Sequence, residues 1–573
     1  MDSSREWWKS AVVYQVYPRS FQDSNGDGIG DLPGILSRLD YIVSLGVDAV
    51  WINPVFRSSG SDMGYDVVDF YSVQPEFGTM ADLDRLIAAL HGRGLRIIMD
   101  MVLNHTSSRH EWFRQACRSR DNPCYNWYIW WPAERGRPPA RCGFFDPGSN
   151  AWTYNETTDS YYLHYFSADQ PDLNWDNAEV RRRLYEMLRY WLDRGVDGLR
   201  FDALTFISKD QCFPQIDASI LKERYDNDWG YYYASGPHLH EYLHEMNREV
   251  LSHYPVVAIA EASGVGSRQA LDFVAEDRQE IDLLYHFEGV SMGYVPGLFK
   301  KPVPGGYNRR TWKEVYSRWA NVFGSSGWGT VYLGNHDQPR MVSHWGDDSD
   351  AFRQPSSKLL FTFLLTMRGT PFLYNGDELG MTNIRFSSIE EYHDVETHSH
   401  YEQLKKQGGD TAAFLEDQKL AGRDNGRTPF QWSAAPNAGF TTGKPWLKVN
   451  PNYLPINRAL EEKDPSSVLH FVRRLIRLRR QQPALVHGDY TLMNDDDSPV
   501  HAYLRSYRGT TCAVLLNLSS QQQLFEGLLS PPSAGDVLIG NYDTFDWTRE
   551  GIRLQPWQAL VFSCSRPGRP SQS

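Results

Sequence analysis

Three carboxylic acids lie at the ends of three separate apolar runs, where the strands of a parallel sheet would end. Asp202 lies in GLRFDA, Glu261 in AIAEA and Asp337 in GNHD. The carboxyl ends of parallel strands meet at one edge of a sheet, so we expect these acids to converge. Cleavage of a glycosidic bond requires such a group, because one carboxylate attacks while a protonated one donates to the leaving oxygen. One acid at a strand end is usually structural, whereas three in equivalent places favour catalysis.

The elements that would position these acids recur along most of the chain. Short apolar runs alternate with helix-like segments, such as the amphipathic stretch 80–94. This alternation is typical of an α/β fold and predicts a (β/α)8 TIM barrel. The eight predicted strands cover residues 12–18, 47–54, 95–105, 196–203, 255–262, 281–288, 329–337 and 369–378.

Two insertions and a change of pattern divide the chain further. Residues 106–170 follow the third strand and residues 382–455 follow the eighth, both with little periodicity. Long loops after barrel strands usually build the active site. After about residue 485 the pattern changes to short alternating strands, typical of an all-β sandwich. We therefore predict a catalytic barrel over 1–105 and 171–484, a loop-rich B domain over 106–170, a C-terminal β domain over 485–565 and a disordered tail over 566–573.

Composition excludes several classes of partner. The net charge is -13, with no basic stripe to neutralise phosphates, so nucleic-acid binding is not expected. No apolar run approaches the ~20 residues that cross a bilayer, and the N-terminus lacks a signal-peptide pattern. The six cysteines follow no metal-binding spacing and are expected to be buried thiols. These features predict a cytoplasmic protein, expected to be a monomer, that acts on small molecules and does not bind membranes.

Four ordered blocks resemble the α-amylase family, glycoside hydrolase family 13. They are DMVLNH (100–105), GLRFDA (198–203), AIAEA (258–262) and LGNHD (333–337). QPDLNW, MGYDV and GRDNGRTPFQW are similar to the branch of oligo-1,6-glucosidases, maltases and sucrose isomerases. The resemblance runs from about Trp7 to the end of the β domain. It implies a retaining α-glucosidase that releases glucose from the non-reducing end of short α-glucosides through a covalent glucosyl-aspartate intermediate.

The resemblance also implies a role for each site residue. Asp202 would be the nucleophile and Glu261 the acid and base, while Asp337 would hold sugar hydroxyls. Arg200 would keep Asp202 ionised through its opposite charge. The remaining substrate-binding residues implied by the family are Asp62, Tyr65, His105, Gln170, Ala203, His336, Arg423 and Arg427.

The linkage that is cleaved stays open at this point. In this branch, a small residue such as Ala203 beside the nucleophile accompanies α-1,4-linked or sucrose-like substrates, whereas Val accompanies α-1,6 preference. The following residues, LTFISKD, look more like the 1,6-glucosidases. The stretch 288–310 lacks the arginine-rich pattern of sucrose isomerases, which favours hydrolysis over isomerisation, although transglycosylation remains an alternative. Non-catalytic transporter heavy chains share the fold, but they carry a membrane helix and often lose the acids that are intact here.

The loop DSNGDGIGD (23–31) resembles a calcium-binding loop. An EF-hand is excluded, because its twelfth position would be Gly34 instead of Glu and a strand precedes it. The family resemblance nevertheless implies a structural Ca²⁺, or Mg²⁺, in this loop. The oxygen ligands would come from Asp23, Asn25, Asp27, Asp31 and the Ile29 carbonyl; a metal-free acidic turn is the alternative. No organic cofactor is expected.

Overall fold

The eight apolar runs form the parallel strands of one sheet in the computed structural model, which describes residues 6–145, 150–215, 232–495, 497–527 and 535–564. Neighbouring strands pair from the first to the sixth, the seventh pairs with the eighth, and the eighth pairs with the first. Between the sixth and seventh strands, a single parallel bridge from Leu284 to Gly329 nearly closes the barrel. The predicted TIM barrel is thus confirmed. Its strands are Val13–Val16, Ala49–Ile52, Arg96–Val102, Gly198–Asp202, Val257–Ala262, Leu283–His286, Thr330–Val331 and Thr370–Tyr374.

Amphipathic helices connect the strands and bury their apolar faces. In Met80–His91, Thr79 and Asp82 form a capping box, and Leu83, Leu86, Ile87 and Leu90 are buried, as the sequence pattern predicts. The region 32–46 forms two short helices, Leu32–Ser37 and Leu39–Leu45, with Arg38 between them. The other helices around the barrel include Ala178–Asp193, Leu239–Glu249, Ala270–Val274, Arg309–Ser326, Met341–Trp345, Arg353–Thr366, Arg458–Glu461, Val468–Gln481 and Pro483–His487.

The insertion after the third strand contains a small antiparallel sheet, in spite of its weak periodicity. Its strands are Trp130–Pro132, Ser160–Leu163 and Trp152–Asn155, with Ser160–Leu163 in the centre. A helix, Glu111–Ala116, precedes them. The residues of this sheet are mainly aromatic, and Tyr162 packs against Phe113 and Trp130. Edge-to-face contacts between aromatic rings therefore supply a core where polar and apolar residues do not alternate regularly.

The insertion after the eighth strand forms a wall beside the barrel mouth. It contains the helices Val395–Lys406 and Thr411–Ala421. Its later part contacts the loop after the first strand, since the Trp446 N–H donates to the Gly28 carbonyl and Asp23 N–H donates to the Phe440 carbonyl. A Cβ on Gly28 would lie 1.8 Å from the Lys444 carbonyl oxygen. Only glycine therefore permits this contact.

The C-terminal region consists of two packed antiparallel sheets, as predicted for an all-β sandwich. Strands Asp489–Leu492, Val500–Tyr507, Thr510–Asn517, Ala559–Cys564 and Val537–Gly540 form one sheet, in that order. Strands Gln523–Phe525, Ile552–Leu554 and Asp546–Trp547 form the other. Leu515 and Phe562 from the first sheet pack against Phe525 and Leu554 from the second.

Three other sequence expectations meet the structure as follows. All six cysteines are free, but only Cys512 is buried; Cys142 and Cys212 are exposed, and the other three are partly buried, so the expectation of buried thiols holds fully for Cys512 alone. Among the helices that the structure describes, none is long and apolar enough to cross a membrane. The predicted tail, residues 566–573, lies outside the described residues.

Candidate active site

Barrel strands and the loops after them bring the three predicted acids to the mouth of the barrel. Asp202 is the last residue of the fourth strand and Glu261 lies near the end of the fifth. Asp337 follows the seventh strand, which is shorter than predicted, and Asn335 accepts a hydrogen bond of 2.8 Å from its N–H. All three acids line one cleft of about 1630 Å³.

A single arginine joins the first two acids. The Arg200 guanidinium donates through one nitrogen to Asp202 and Asp100, each at 2.8 Å, and through the other to Glu261. The Ala203 N–H donates to the second oxygen of Glu261 at 2.7 Å. Asp202 and Glu261 are thus held on the two nitrogens of one planar group, which fixes their relative position.

The protonation of this group follows from burial and charge. Burial and the Glu261 carboxylate raise the pKa of Asp202 well above its usual value, and Arg200 opposes them. Burial likewise raises the pKa of Asp100 to about 6. Asp100 and Asp202 thus bind a proton more readily than exposed carboxyl groups do, although Arg200 favours their ionised forms. The expectation that Arg200 keeps Asp202 ionised describes only one of these opposing contributions.

Asp337 has the opposite environment. Burial alone would raise its pKa, but the nearby His336, Arg423 and Arg427 lower it well below the usual range. Arg423 and Arg427 donate to the same carboxylate oxygen at 3.1 and 3.0 Å. Burial lowers the pKa of His336 to about 3, so the two guanidinium groups supply the lasting positive charge. The pKa of Asp337 is thus lowered, whereas those of Asp100 and Asp202 are raised, so Asp337 stays ionised.

The predicted sugar-binding residues form a connected network beside the acids. Tyr65 stacks on His336, with ring centroids 5.4 Å apart, and donates to Asp100. Gln170 donates to Asp62 at 3.0 Å and lies 3.2 Å from His105 Nε2. Burial raises the pKa of Asp62 to about 7.

The predicted residues divide into two layers. Those that line the cleft are Asp62, Tyr65, His105, Asp202, Glu261, Asp337 and Arg423. The others are buried and contact those residues from behind: Gln170, Arg200, Ala203, His336 and Arg427. The second layer sets the orientation of the first.

Sequence reasoning missed several residues of the site. Asp394 accepts from Arg423 Nε at 2.6 Å and caps the helix Val395–Lys406. Lys300 donates to the Asp337 carbonyl at 3.1 Å and lies 3.4 Å from Glu396. Asp100 could have been found, because it begins the quoted block DMVLNH. Asp394 and Lys300 lie in segments whose sequence has no periodicity. The same is true of four aromatic residues that line the cleft: Phe144, Phe145, Phe166 and Phe206.

The loop 23–31 is built by hydrogen bonds of its own acids. The Asp23 carboxylate accepts from the N–H groups of Asn25, Gly26 and Gly28 and from the Thr441 hydroxyl. Asp31 accepts from Gly34 and Ser24, and Asp27 accepts from Ile29. The oxygen types suit Ca²⁺; because Asp23 accepts four hydrogen bonds, a bound cation would replace one or more of these donors. Within the described ranges, no three His, Cys, Asp or Glu side chains are placed to hold a metal. No step proposed below uses one.

The comparisons with known proteins agree with this geometry. Residues 15–488 match the family described as "Alpha amylase, catalytic domain". The oligo-1,6-glucosidase of Parageobacillus thermoglucosidasius is 43% identical, covering 98% of this chain and 100% of that protein. The oligo-1,6-glucosidase of Halalkalibacterium halodurans is 44% identical, with 98% and 99% covered. The solved isomaltulose synthase SmuA from Protaminobacter rubrum has a TM-score of 0.92 at 42% identity, covering 97% of this chain and 99% of that one. The chain belongs to the α-amylase family and is a glycoside hydrolase that acts on α-glucosides.

Proposed function

We propose that this enzyme releases single glucose units from the non-reducing end of short α-glucosides, with retention of the anomeric configuration. The supporting observation is a set of ion pairs among residues that line the cleft. Arg423 lies 3.6 Å from Asp62, on the loop after the second strand, and 3.1 Å from Asp337, after the seventh. We infer that these ion pairs, which join three loops, close the cleft on this side, which favours removal of a terminal sugar over cleavage within a long chain.

The proposed reaction has two displacement steps. Asp202 attacks the anomeric carbon of the glucosyl unit while Glu261 gives its proton to the glycosidic oxygen, so the leaving sugar departs as an alcohol. Water then attacks the same carbon and gives a proton back to Glu261, and the bond to Asp202 breaks.

The neighbouring residues support this sequence electrostatically. Arg200 is fully buried and its pKa is raised, so it remains charged. It can stay in contact with both Asp202 and Glu261 when Asp202 changes from a carboxylate to an ester. Ionised Asp337 would bind the sugar hydroxyls and favour the positive charge that develops on the ring. An N–H group of His105, which also lines the cleft, would donate a further hydrogen bond to the sugar.

For the linkage, we propose α-1,4-linked substrates such as maltose and maltooligosaccharides, together with sucrose. Ala203 is buried next to the nucleophile, with φ of 48°, and packs in a cluster with Tyr165 and Phe206, which line the cleft. A branched side chain at this position would push these rings toward the substrate. The alternative is α-1,6 cleavage, which the names of the two reported relatives favour. A methyl-sized difference in a pocket changes preference by about 1–3 kcal/mol, so both substrates should be cleaved at different rates.

The test is a substrate panel with product analysis. It uses maltose, isomaltose, sucrose, trehalose and p-nitrophenyl α-glucoside, and we expect maltose to give the highest kcat/KM. Asp202→Asn and Glu261→Gln should abolish glucose release from maltose without unfolding the protein. Ala203→Val should shift the ratio of kcat/KM for isomaltose to that for maltose about tenfold toward isomaltose. This ratio is independent of the amount of active enzyme.

Particular outcomes would contradict each part of the proposal. Full activity in either acid variant would reject the assigned roles. Isomaltose as the preferred substrate of the wild type would reject the linkage. Isomaltulose or trehalulose as the main product from sucrose would replace hydrolysis by isomerisation as the principal reaction.

A further inference from the structure

A buried lysine lies between the loop after the fourth strand and the residues that flank the B domain. Lys209 follows the nucleophile strand, and its side chain is 1% exposed. Its ammonium donates to Asn104 Oδ1 at 2.7 Å and to the Phe206 carbonyl at 2.6 Å. It also lies 3.5 Å from Asp172 Oδ2. Nothing in the reaction above uses this charge.

The lysine and its partner aspartate determine the orientation of one amide. Asn104 Oδ1 faces the Lys209 ammonium, while Nδ2 donates to Asp172 Oδ1 at 3.0 Å. Rotating the amide by half a turn would place its NH2 group against the ammonium and its oxygen against the carboxylate. Because both contacts would become repulsive, the amide has one stable orientation.

This orientation reaches the imidazole of His105. Asn104 Nδ2 lies 3.2 Å from His105 Nδ1, so Nδ1 must accept a hydrogen bond. Burial lowers the pKa of His105 to about 3, which leaves a neutral ring with one N–H. That N–H is then on Nε2, where the Tyr65 carbonyl lies at 3.2 Å.

The other tautomer is less compatible with the surroundings. With its hydrogen on Nδ1, the ring would face the Asn104 NH2 group donor to donor. Its bare Nε2 would face the Tyr65 carbonyl acceptor to acceptor. The contact with Gln170 Nε2, which lies 3.2 Å from His105 Nε2 and also donates to Asp62, would improve, but the two contacts with Asn104 and Tyr65 would both be lost.

We propose that Lys209 is a positioning residue that acts through Asn104 to hold His105 in its Nε2–H tautomer. His105 lines the cleft, so this tautomer presents a hydrogen-bond donor where a glucosyl hydroxyl would bind. The part concerning the glucosyl hydroxyl rests on the proposed function. The tautomer itself does not.

The tautomer can be measured by ¹⁵N NMR on protein labelled at histidine, with the His105 signals assigned by their loss in His105→Gln. We expect Nε2 to give the shift of a protonated nitrogen and Nδ1 that of an unprotonated one. Asn104→Asp replaces the donor facing Nδ1 by an acceptor, so it should move the hydrogen to Nδ1. A wild-type ring protonated at Nδ1, or an unchanged pattern in Asn104→Asp, would overturn the proposal.

A kinetic arm tests the consequence for binding. Lys209→Met keeps the length of the side chain but frees the Asn104 amide, so it should raise KM for maltose about tenfold with a smaller change in kcat. The matched control is Lys358→Met, which removes a buried ammonium that donates to the Ser466 carbonyl outside the cleft. It should lower stability while leaving KM and the His105 signals unchanged.

The outcomes separate this inference from the proposed function. Equal KM values for Lys209→Met and Lys358→Met would reject the positioning role. If Lys209→Met does not fold, the wild-type and Asn104→Asp spectra still decide the tautomer. An enzyme that shows the predicted spectra but does not cleave maltose would reject the substrate proposal alone.

Discussion

At the scale of residues, the site depends on one guanidinium shared by three buried carboxyl groups. Arg200 contacts Asp100, Asp202 and Glu261, while Asp337 has two arginines of its own. The negative charges around Arg200 raise the pKa of Asp202, and the positive charge around Asp337 keeps that acid ionised. Carboxyl groups within one cleft thereby acquire different affinities for a proton.

Removing the third carboxylate should shift the pH profile. The Asp100 charge raises the pKa of Asp202, and Asp202 must be ionised to attack. Asp100→Asn should therefore lower the pKa of Asp202 and move the acid limb of kcat/KM to lower pH, by about 0.5–1 unit. The measurement is the hydrolysis of p-nitrophenyl α-glucoside across the pH range.

Asp282→Asn is the control for this shift. Asp282 is partly buried, and desolvation raises its pKa to about 7, but it precedes the sixth strand at the opposite end of the barrel. It should leave the acid limb in place. An acid limb that does not move in Asp100→Asn, or that moves equally in both variants, would contradict the effect of the Asp100 charge on the pKa of Asp202.

At the scale of elements, the loop after the first strand docks on the insertion after the eighth. Glycines at positions 26 and 28, both with positive φ, permit the approach, and Thr441 donates to Asp23. The insertion also carries Arg423 and Arg427. The loop 23–31 therefore supports, from a distance, the segment that holds Asp337 in its charged state.

We predict that a divalent cation stabilises this loop. Chelator should lower the Tm of the wild type, and saturating Ca²⁺ should restore about 2–3 kcal/mol of unfolding free energy. Activity at low temperature should persist, because the loop holds no catalytic residue. Asp27→Asn can retain the acceptor for the Ile29 N–H but loses a charged ligand, so it should lose the calcium response. A wild-type Tm that ignores both chelator and Ca²⁺ would leave a metal-free turn as the correct description.

At the scale of the whole molecule, sequence predicts what periodic burial determines. The barrel strands were predictable because both faces of each strand are buried, which gives continuous apolar runs. The sandwich strands Val500–Tyr507 and Thr510–Asn517 also lie where alternation placed them. The aromatic B sheet and the partners Asp394 and Lys300 were not predictable. Their positions depend on contacts between distant loops, which leave no local pattern.

The attachment of the C-terminal sandwich to the barrel depends on two buried arginines. Arg505, in the sandwich, donates to the carbonyls of Thr366, Val486 and Gly488, at the ends of the helices Arg353–Thr366 and Pro483–His487. Arg479 donates to the neighbouring carbonyls of Leu365, Met367, Gly369 and Leu485. Across the part of the chain that the structure describes, neither guanidinium forms an ion pair with a carboxylate. Helix C-termini carry partial negative charge, so both arginines cap them. Arg505 joins the sandwich directly to the helix Arg353–Thr366, and Arg479 holds the end of that helix from the barrel side.

Arg505→Met should therefore weaken the whole molecule without altering its chemistry. The substitution leaves buried carbonyls without donors, and we expect the free energy of unfolding to fall by about 3 kcal/mol. The kcat/KM for maltose at low temperature should be unchanged, because the residue is remote from the cleft. Arg553→Met, which removes an exposed arginine from the same sandwich, is the control and should have little effect on Tm. Equal Tm values for the two variants would show that Arg505 does not contribute to this attachment.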